Sequence, residues 1–149
     1  MRKLLALLFT IFLINAETKA QTEADLSNLM FTDEWFSNLD DAKANPEKVW
    51  YLDLGLQKLK TFPSEILTFK NVKHLYLQVN YWPSIPEEIG TLKNLEILDI
   101  SSNYYLNTLP DGLKNCTSLK QIIVKDNKLK SGEVARLQKL LPNVQIITN

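Results

Sequence analysis

The sequence predicts an α/β fold. The expected form is a short right-handed solenoid, a segment of a horseshoe, with one parallel strand per repeat lining its concave side. Three observations carry that expectation. A unit of about 23 residues recurs four times between Val49 and Asn143. Each copy opens on an alternating apolar stretch that reads as a short strand with one buried face. An apolar residue followed by proline falls midway through three of the copies, where a crossover between parallel strands is needed.

The copies run from 49 to 71 (VWYLDLGLQKLKTFPSEILTFKN), 72 to 94 (VKHLYLQVNYWPSIPEEIGTLKN), 95 to 118 (LEILDISSNYYLNTLPDGLKNCTS) and 119 to 143 (LKQIIVKDNKLKSGEVARLQKLLPN), with a partial fifth from Val144 to Asn149. Their apolar columns align: Val49, Val72, Leu95 and Leu119; Leu52, Leu75, Leu98 and Ile122; Leu54, Leu77, Ile100 and Val124. Phe62-Pro63, Ile85-Pro86 and Leu109-Pro110 follow, then Ile66, Ile89 and Leu113. One such unit cannot bury its apolar face alone, so stacked neighbours must cover it. Where the chain leaves each strand stands Gln57, Asn80, Asn103 or Asn127. An amide both donates and accepts, so these side chains are expected to form an internal ladder satisfying irregular backbone, with Gln57 an imperfect first rung. The pattern resembles the leucine-rich repeat family in its LPxxI variety, over residues 49–149. That resemblance implies a binding role without catalysis.

Both ends of such a stack expose apolar core and need covers. Residues 21–48 are read as a mobile lead followed by an N-terminal capping helix within 32–46. Ser37 with Asp40 fits a capping box, Leu39 and Ala42 share a helical face, Pro46 marks the stop, and Trp35 and Phe36 are the expected plugs over the first repeat. At the other end Glu133–Leu141 replaces the LPxxI half. Val134, Leu137, Leu140 and Leu141 are spaced for one face of a C-terminal capping helix.

Residues 1–20 lie outside that domain and read as a cleaved signal peptide of bacterial type. Arg2 and Lys3 precede the apolar run Leu4–Ile14, too short to span a membrane, and Thr18 and Ala20 suit cleavage before Gln21. The expected location is secreted, periplasmic or cell-surface, with no membrane span in the mature chain. The 17 basic and 17 acidic residues balance, which speaks against nucleic acid as a partner. A single cysteine, Cys116, and a single histidine, His74, leave no disulfide framework, zinc cluster or His-rich metal site. Nucleotide-binding and hydrolase motifs are absent. No catalytic residue, metal or cofactor is therefore expected. Cys116 reads as a small buried hydrophobe, and Glu87 and Glu88 as a solvated face.

The strand positions that alternate with the core carry the functional expectation. Tyr51, His74 and Ile97 form one outward column, and Asp53, Tyr76, Asp99 and Ile123 the next. With strands ~4.8 Å apart, these seven residues are predicted to form one aromatic patch edged by acids, suited to a protein or peptide ligand. His74 beside Asp53 or Asp99 invites an acid–base reading, but those carboxylates lie two strands apart. Tyr81, Trp82, Tyr104 and Tyr105 make a second aromatic group, with Trp82 assigned to the core and Tyr81 and Tyr104 to an exposed rim. A structural component, weakly self-associating through the edge strand at Val144–Thr148, and a glycan-binding module are the alternative readings.

Overall fold

In each of the first three repeats, a three-residue strand gives way to a left-handed residue, an amide rung, and a proline-led turn back to the next strand. A computed structural model describes residues 35–149. The leader expected at residues 1–20, and residues 21–34, fall outside the described residues. The strands are β1 (Trp35–Phe36), β2 (Tyr51–Asp53), β3 (His74–Tyr76), β4 (Ile97–Asp99), β5 (Gln121–Ile123) and β6 (Gln145–Ile147). They form one sheet in chain order, every neighbouring pair parallel. In β2 to β5 the middle residue is buried and its neighbours half-buried, as alternating side chains require. Leu52, Leu75, Leu98 and Ile122 are register partners across the sheet, so the predicted repeat alignment holds strand by strand.

On the return side Pro63, Pro86 and Pro110 each precede a five-residue 3-10 helix: Ser64–Thr68, Glu87–Thr91 and Asp111–Asn115. Proline supplies a fixed φ there, and the turn costs no backbone donor. Ile66, Ile89 and Leu113 point inward from these turns and close a continuous core that runs from Ala42 to Val144. The returns of the second and third repeats approach backbone to backbone. A Cβ on Gly112 would stand 2.0 Å from the Glu87 carbonyl oxygen, and one on Gly90 2.4 Å from that of Gly112. Only glycine fits either position.

The exit from each strand is strained and then repaired. Leu56, Val79, Ser102 and Asp126 all have φ between 54° and 63°, a region that costs an L-residue roughly 1–2 kcal/mol. The next residue is the rung of the ladder. Asn80 and Asn103 are fully buried. The Asn103 amide donates to Ile100 O at 2.8 Å and Leu77 O at 3.1 Å, and its Oδ1 accepts from Asn80 N at 3.1 Å. Asn80 repeats the pattern with Leu54 O, Leu77 O and Leu59 N, and Asn127 Oδ1 accepts from Asn103 N at 2.7 Å. Gln57 is exposed and reaches only Ser37 O at 3.3 Å. It is the imperfect rung the sequence suggested.

The ends differ from expectation in three places. Trp35 and Phe36 form a sixth strand, β1, in register with Tyr51 and Leu52; Phe36 packs on the core as a plug should, whereas Trp35 lies on the outward face. The first helix, α1 (Leu39–Ala44), starts one residue late for the Ser37–Asp40 box. Asn38 is its cap, its Oδ1 accepting from Asp41 N at 2.8 Å, since the capping side chain must precede the first helical residue. In α2 (Glu133–Leu140) Leu137 is buried, as is Leu141 just past its end, but Val134 is 36% exposed. The inward stripe runs 133, 137, 141, and its first position is a carboxylate. Glu133 Oε1 accepts from Leu109 N at 2.7 Å and from Arg136 Nη2 at 2.7 Å, while Arg136 Nη2 also donates to Leu109 O at 2.6 Å. The buried acid, paired with Arg136, thus satisfies the Leu109 N–H of the preceding repeat.

Candidate functional site

The outward face of the sheet collects four aromatic rings. Parallel pairing puts Tyr51 beside His74 and both beside their neighbours' equivalents, at a fixed strand spacing. Trp35 stacks on Tyr51 with centroids 5.5 Å apart and on Tyr76 at 5.8 Å. Tyr51 meets the His74 ring edge-on at 4.9 Å, and His74 meets Tyr76 edge-on at 6.2 Å. Such pairs contribute ~0.5–1.5 kcal/mol each beyond the area they bury, so the rings support one another on this face. Tyr51, His74 and Tyr76 were singled out from the sequence, and the structure brings them together. Trp35 was not. It lies 16 positions before its register partner Tyr51, outside the 23-residue period, and no repeat column could have found it.

The remaining predicted residues sit where expected on the sheet, with changed roles for the acids. Asp53, Tyr76 and Asp99 are consecutive register partners, so Tyr76 stands between two carboxylates. Each carboxylate also closes its own strand exit: Asp53 Oδ1 accepts from Gly55 N at 2.9 Å, and Asp99 Oδ1 from Ser101 N at 3.0 Å and Ser101 Oγ at 2.7 Å. Ile97 pairs with His74, and Ile123 with Asp99; both are half-buried and extend the patch toward β5. Burial first, and then Asp99 and Asp53, raise the Tyr76 hydroxyl above its ordinary pKa, keeping it a phenol. Burial lowers His74, against an opposing pull from Glu96, so its ring is neutral at physiological pH. The Tyr76 hydroxyl lies 3.4 Å from His74 Nδ1, at the long limit of a hydrogen bond. Among the described residues no group of three or more His, Cys, Asp or Glu side chains gathers around a point.

Beside the sheet, Tyr81, Tyr104, Tyr105, Asn107 and Lys128 line an open groove of about 580 Å³. Tyr81 is half-buried and meets Tyr105 edge-on at 6.1 Å, whereas Tyr104 and Tyr105 are 50% and 63% exposed. Trp82 takes the core position assigned to it, fully buried against Phe62. Cys116 is buried too, its thiol 3.3 Å from Ile89 O and its pKa pushed up to about 11 by desolvation. Glu87 is exposed, as expected, but it also makes a contact between repeats. Its side chain crosses to the next repeat, where Oε2 accepts from Gly112 N at 2.5 Å and Oε1 from Asp111 N at 3.3 Å. The proline-led turn leaves those amides without partners of their own, and a glutamate one repeat earlier reaches them.

Among the described residues no helix is long and apolar enough to cross a membrane. The chain matches no protein-family model and no curated protein. Among solved structures it is similar to a leucine-rich repeat protein of Leptospira interrogans, at 31% identity and a TM-score of 0.48, over 75% of this chain and 34% of that one. Internalin C2 of Listeria monocytogenes is similar at 20% identity and a TM-score of 0.49, over 75% of this chain and 56% of that one. The chain therefore spans about a third and just over half of the two lengths. Both neighbours are leucine-rich repeat proteins with a parallel-strand sheet.

Proposed function

We propose that this leucine-rich repeat chain is a non-catalytic module that binds a protein or peptide through the outward, concave face of its sheet, outside the cytoplasm. The observation that carries the reading is the Trp35–Tyr51–His74–Tyr76 cluster. It places aromatic surface at the N-terminal half of the sheet, flanked by Asp53 and Asp99 and continued by Ile97 and Ile123. Aromatic anchors held in place before binding lose little entropy on association and dominate interface energetics. Action outside the cytoplasm rests on the leader read at residues 1–20, and mass spectrometry of exported material should find Gln21 first.

Capture experiments with the mature chain against envelope and neighbouring-cell proteins test the site. Truncating a central interface aromatic costs ~2 kcal/mol or more, roughly a thirtyfold loss of affinity. Tyr76→Ala and Trp35→Ala should each lose the captured partner, with the far-ultraviolet spectrum and melting transition checked alongside because both rings also pack on their neighbours. Glu88→Ala on the return side is the control. Capture unchanged by Tyr76→Ala and Trp35→Ala, yet lost with Tyr104→Ala, would move the protein-binding site off the sheet face.

A further inference from the structure

The third repeat is one residue longer than the two before it, and the extra residue sits where the structure exposes most aromatic surface. In the first two repeats the core position Leu59 or Trp82 follows its rung by two residues; in the third, Leu106 follows Asn103 by three. The added length lets Tyr105 stand out from the rim, 63% exposed, while Leu106 still reaches the core fully buried. An insertion that the stack does not need for packing falls on a loop, and in repeat arrays such loops frequently form the binding face. The other members of the groove are placed by the ladder itself. Tyr81, Tyr104 and Lys128 each come directly after a rung, Asn80, Asn103 or Asn127. They form a row stepped along the rim at about the strand spacing of ~4.8 Å.

We propose that this rim groove is a second binding site, independent of the sheet face, for an acidic oligosaccharide. Tyr104 and Tyr105 offer open ring faces for the C–H side of a sugar, and Tyr81 buttresses Tyr105 edge-on at 6.1 Å. Asn107 supplies an amide that both donates and accepts, as a ring hydroxyl requires. Lys128 is exposed and supplies the only charge in the lining, so the groove favours an anion and gives a cation nothing to pair with. Lys125 and Lys130, also exposed and on the same stretch of the fourth repeat, outnumber its one acid, Asp126, and leave that stretch net positive. A stepped row of two rings and an ammonium matches an extended chain of sugars carrying carboxylates better than one compact ligand.

The probe is a short oligogalacturonide, titrated calorimetrically into the mature chain beside its methyl ester, which keeps the sugar rings and removes the charge. The acidic form should bind, and the ester should bind at least about tenfold more weakly. Tyr105→Ala and Lys128→Gln should each weaken the acidic form by a similar factor, with Tyr76→Ala on the sheet and Lys114→Gln on the return side without effect. No binding, or equal binding of acid and ester, overturns the assignment. So does loss as large from Lys114→Gln as from Lys128→Gln, which marks unspecific attraction, and so does loss from Tyr76→Ala alone. Because Tyr104, Tyr105 and Lys128 lie outside the core, unchanged melting of the rim variants separates lost binding from lost fold.

Discussion

Replacing Asn103 by leucine tests the ladder, and the structure sets the size of the effect. The substitution keeps the number of side-chain heavy atoms but removes one acceptor and the donors of one amide. Asn80 N then loses its partner in a place no water reaches, since both rungs are fully buried. The carbonyls fare better: Leu77 O keeps the Asn80 amide at 3.0 Å, and Ile100 O keeps that of Asn127 at 3.0 Å. One orphaned buried donor costs ~1–3 kcal/mol, and the lost second bonds to Leu77 O and Ile100 O ~0.5–1.5 kcal/mol each, with a weaker contact to Ser101 O at 3.2 Å lost as well. Partial recovery from the apolar side chain leaves an expected destabilisation of roughly 2–4 kcal/mol, or about 8–15 °C in Tm for a domain of this size. Urea titration of the mature chain measures it. Asn127→Leu should cost less, because that rung is only half-buried, and exposed Gln57→Leu should cost under ~0.5 kcal/mol. If Asn103→Leu melts with Gln57→Leu, the ladder does not hold the strand exits and the reasoning fails.

Three further outcomes follow from the same geometry. Glu87→Ala should lower stability by ~1 kcal/mol or more by releasing the Gly112 and Asp111 amides, whereas Glu88→Ala should change it little in the same urea titration. Glu133 has its pKa lowered chiefly by the hydrogen bond from Arg136, so its stabilisation is complete above the ordinary carboxyl value of 4.5 and fades as pH falls through the lower folded value. Melting between pH 6 and 3 should therefore fall more steeply for the parent than for Glu133→Gln; parallel curves would deny Glu133 that role. Cys116, buried and with its thiol at about 11, should resist iodoacetamide at pH 8 until denaturant opens the fold, and rapid labelling of the native chain would contradict its placement.

The repeat period determined most of the fold before any coordinates. A strand of three residues with one buried column needs a covering neighbour, and four aligned columns at one spacing leave a single register for the stack. Hence Leu52, Leu75, Leu98 and Ile122 pair as read, the Asn rungs lie inside, and Tyr51, His74 and Tyr76 share a face. Contacts that break the period were decided by the tertiary structure alone. Trp35 joins the sheet from outside the repeats, exposed Glu87 reaches across to the next repeat, and Glu133 turns inward, because amides of neighbouring turns, more than twenty positions away, lack partners. A second amide row at the strand entries was equally invisible: Asn71 donates to Glu47 O at 2.7 Å and Asn94 to Lys70 O at 2.9 Å, from positions whose polar side chains look merely solvent-exposed in the sequence. Gly90 and Gly112 belong with them, since the need for glycine there comes from a carbonyl on the adjoining repeat. A period specifies which side chains must be covered, because burial depends on alternation along one strand. Which polar groups meet depends on where neighbouring backbones leave donors and acceptors unpaired, and that exists only once the repeats are stacked.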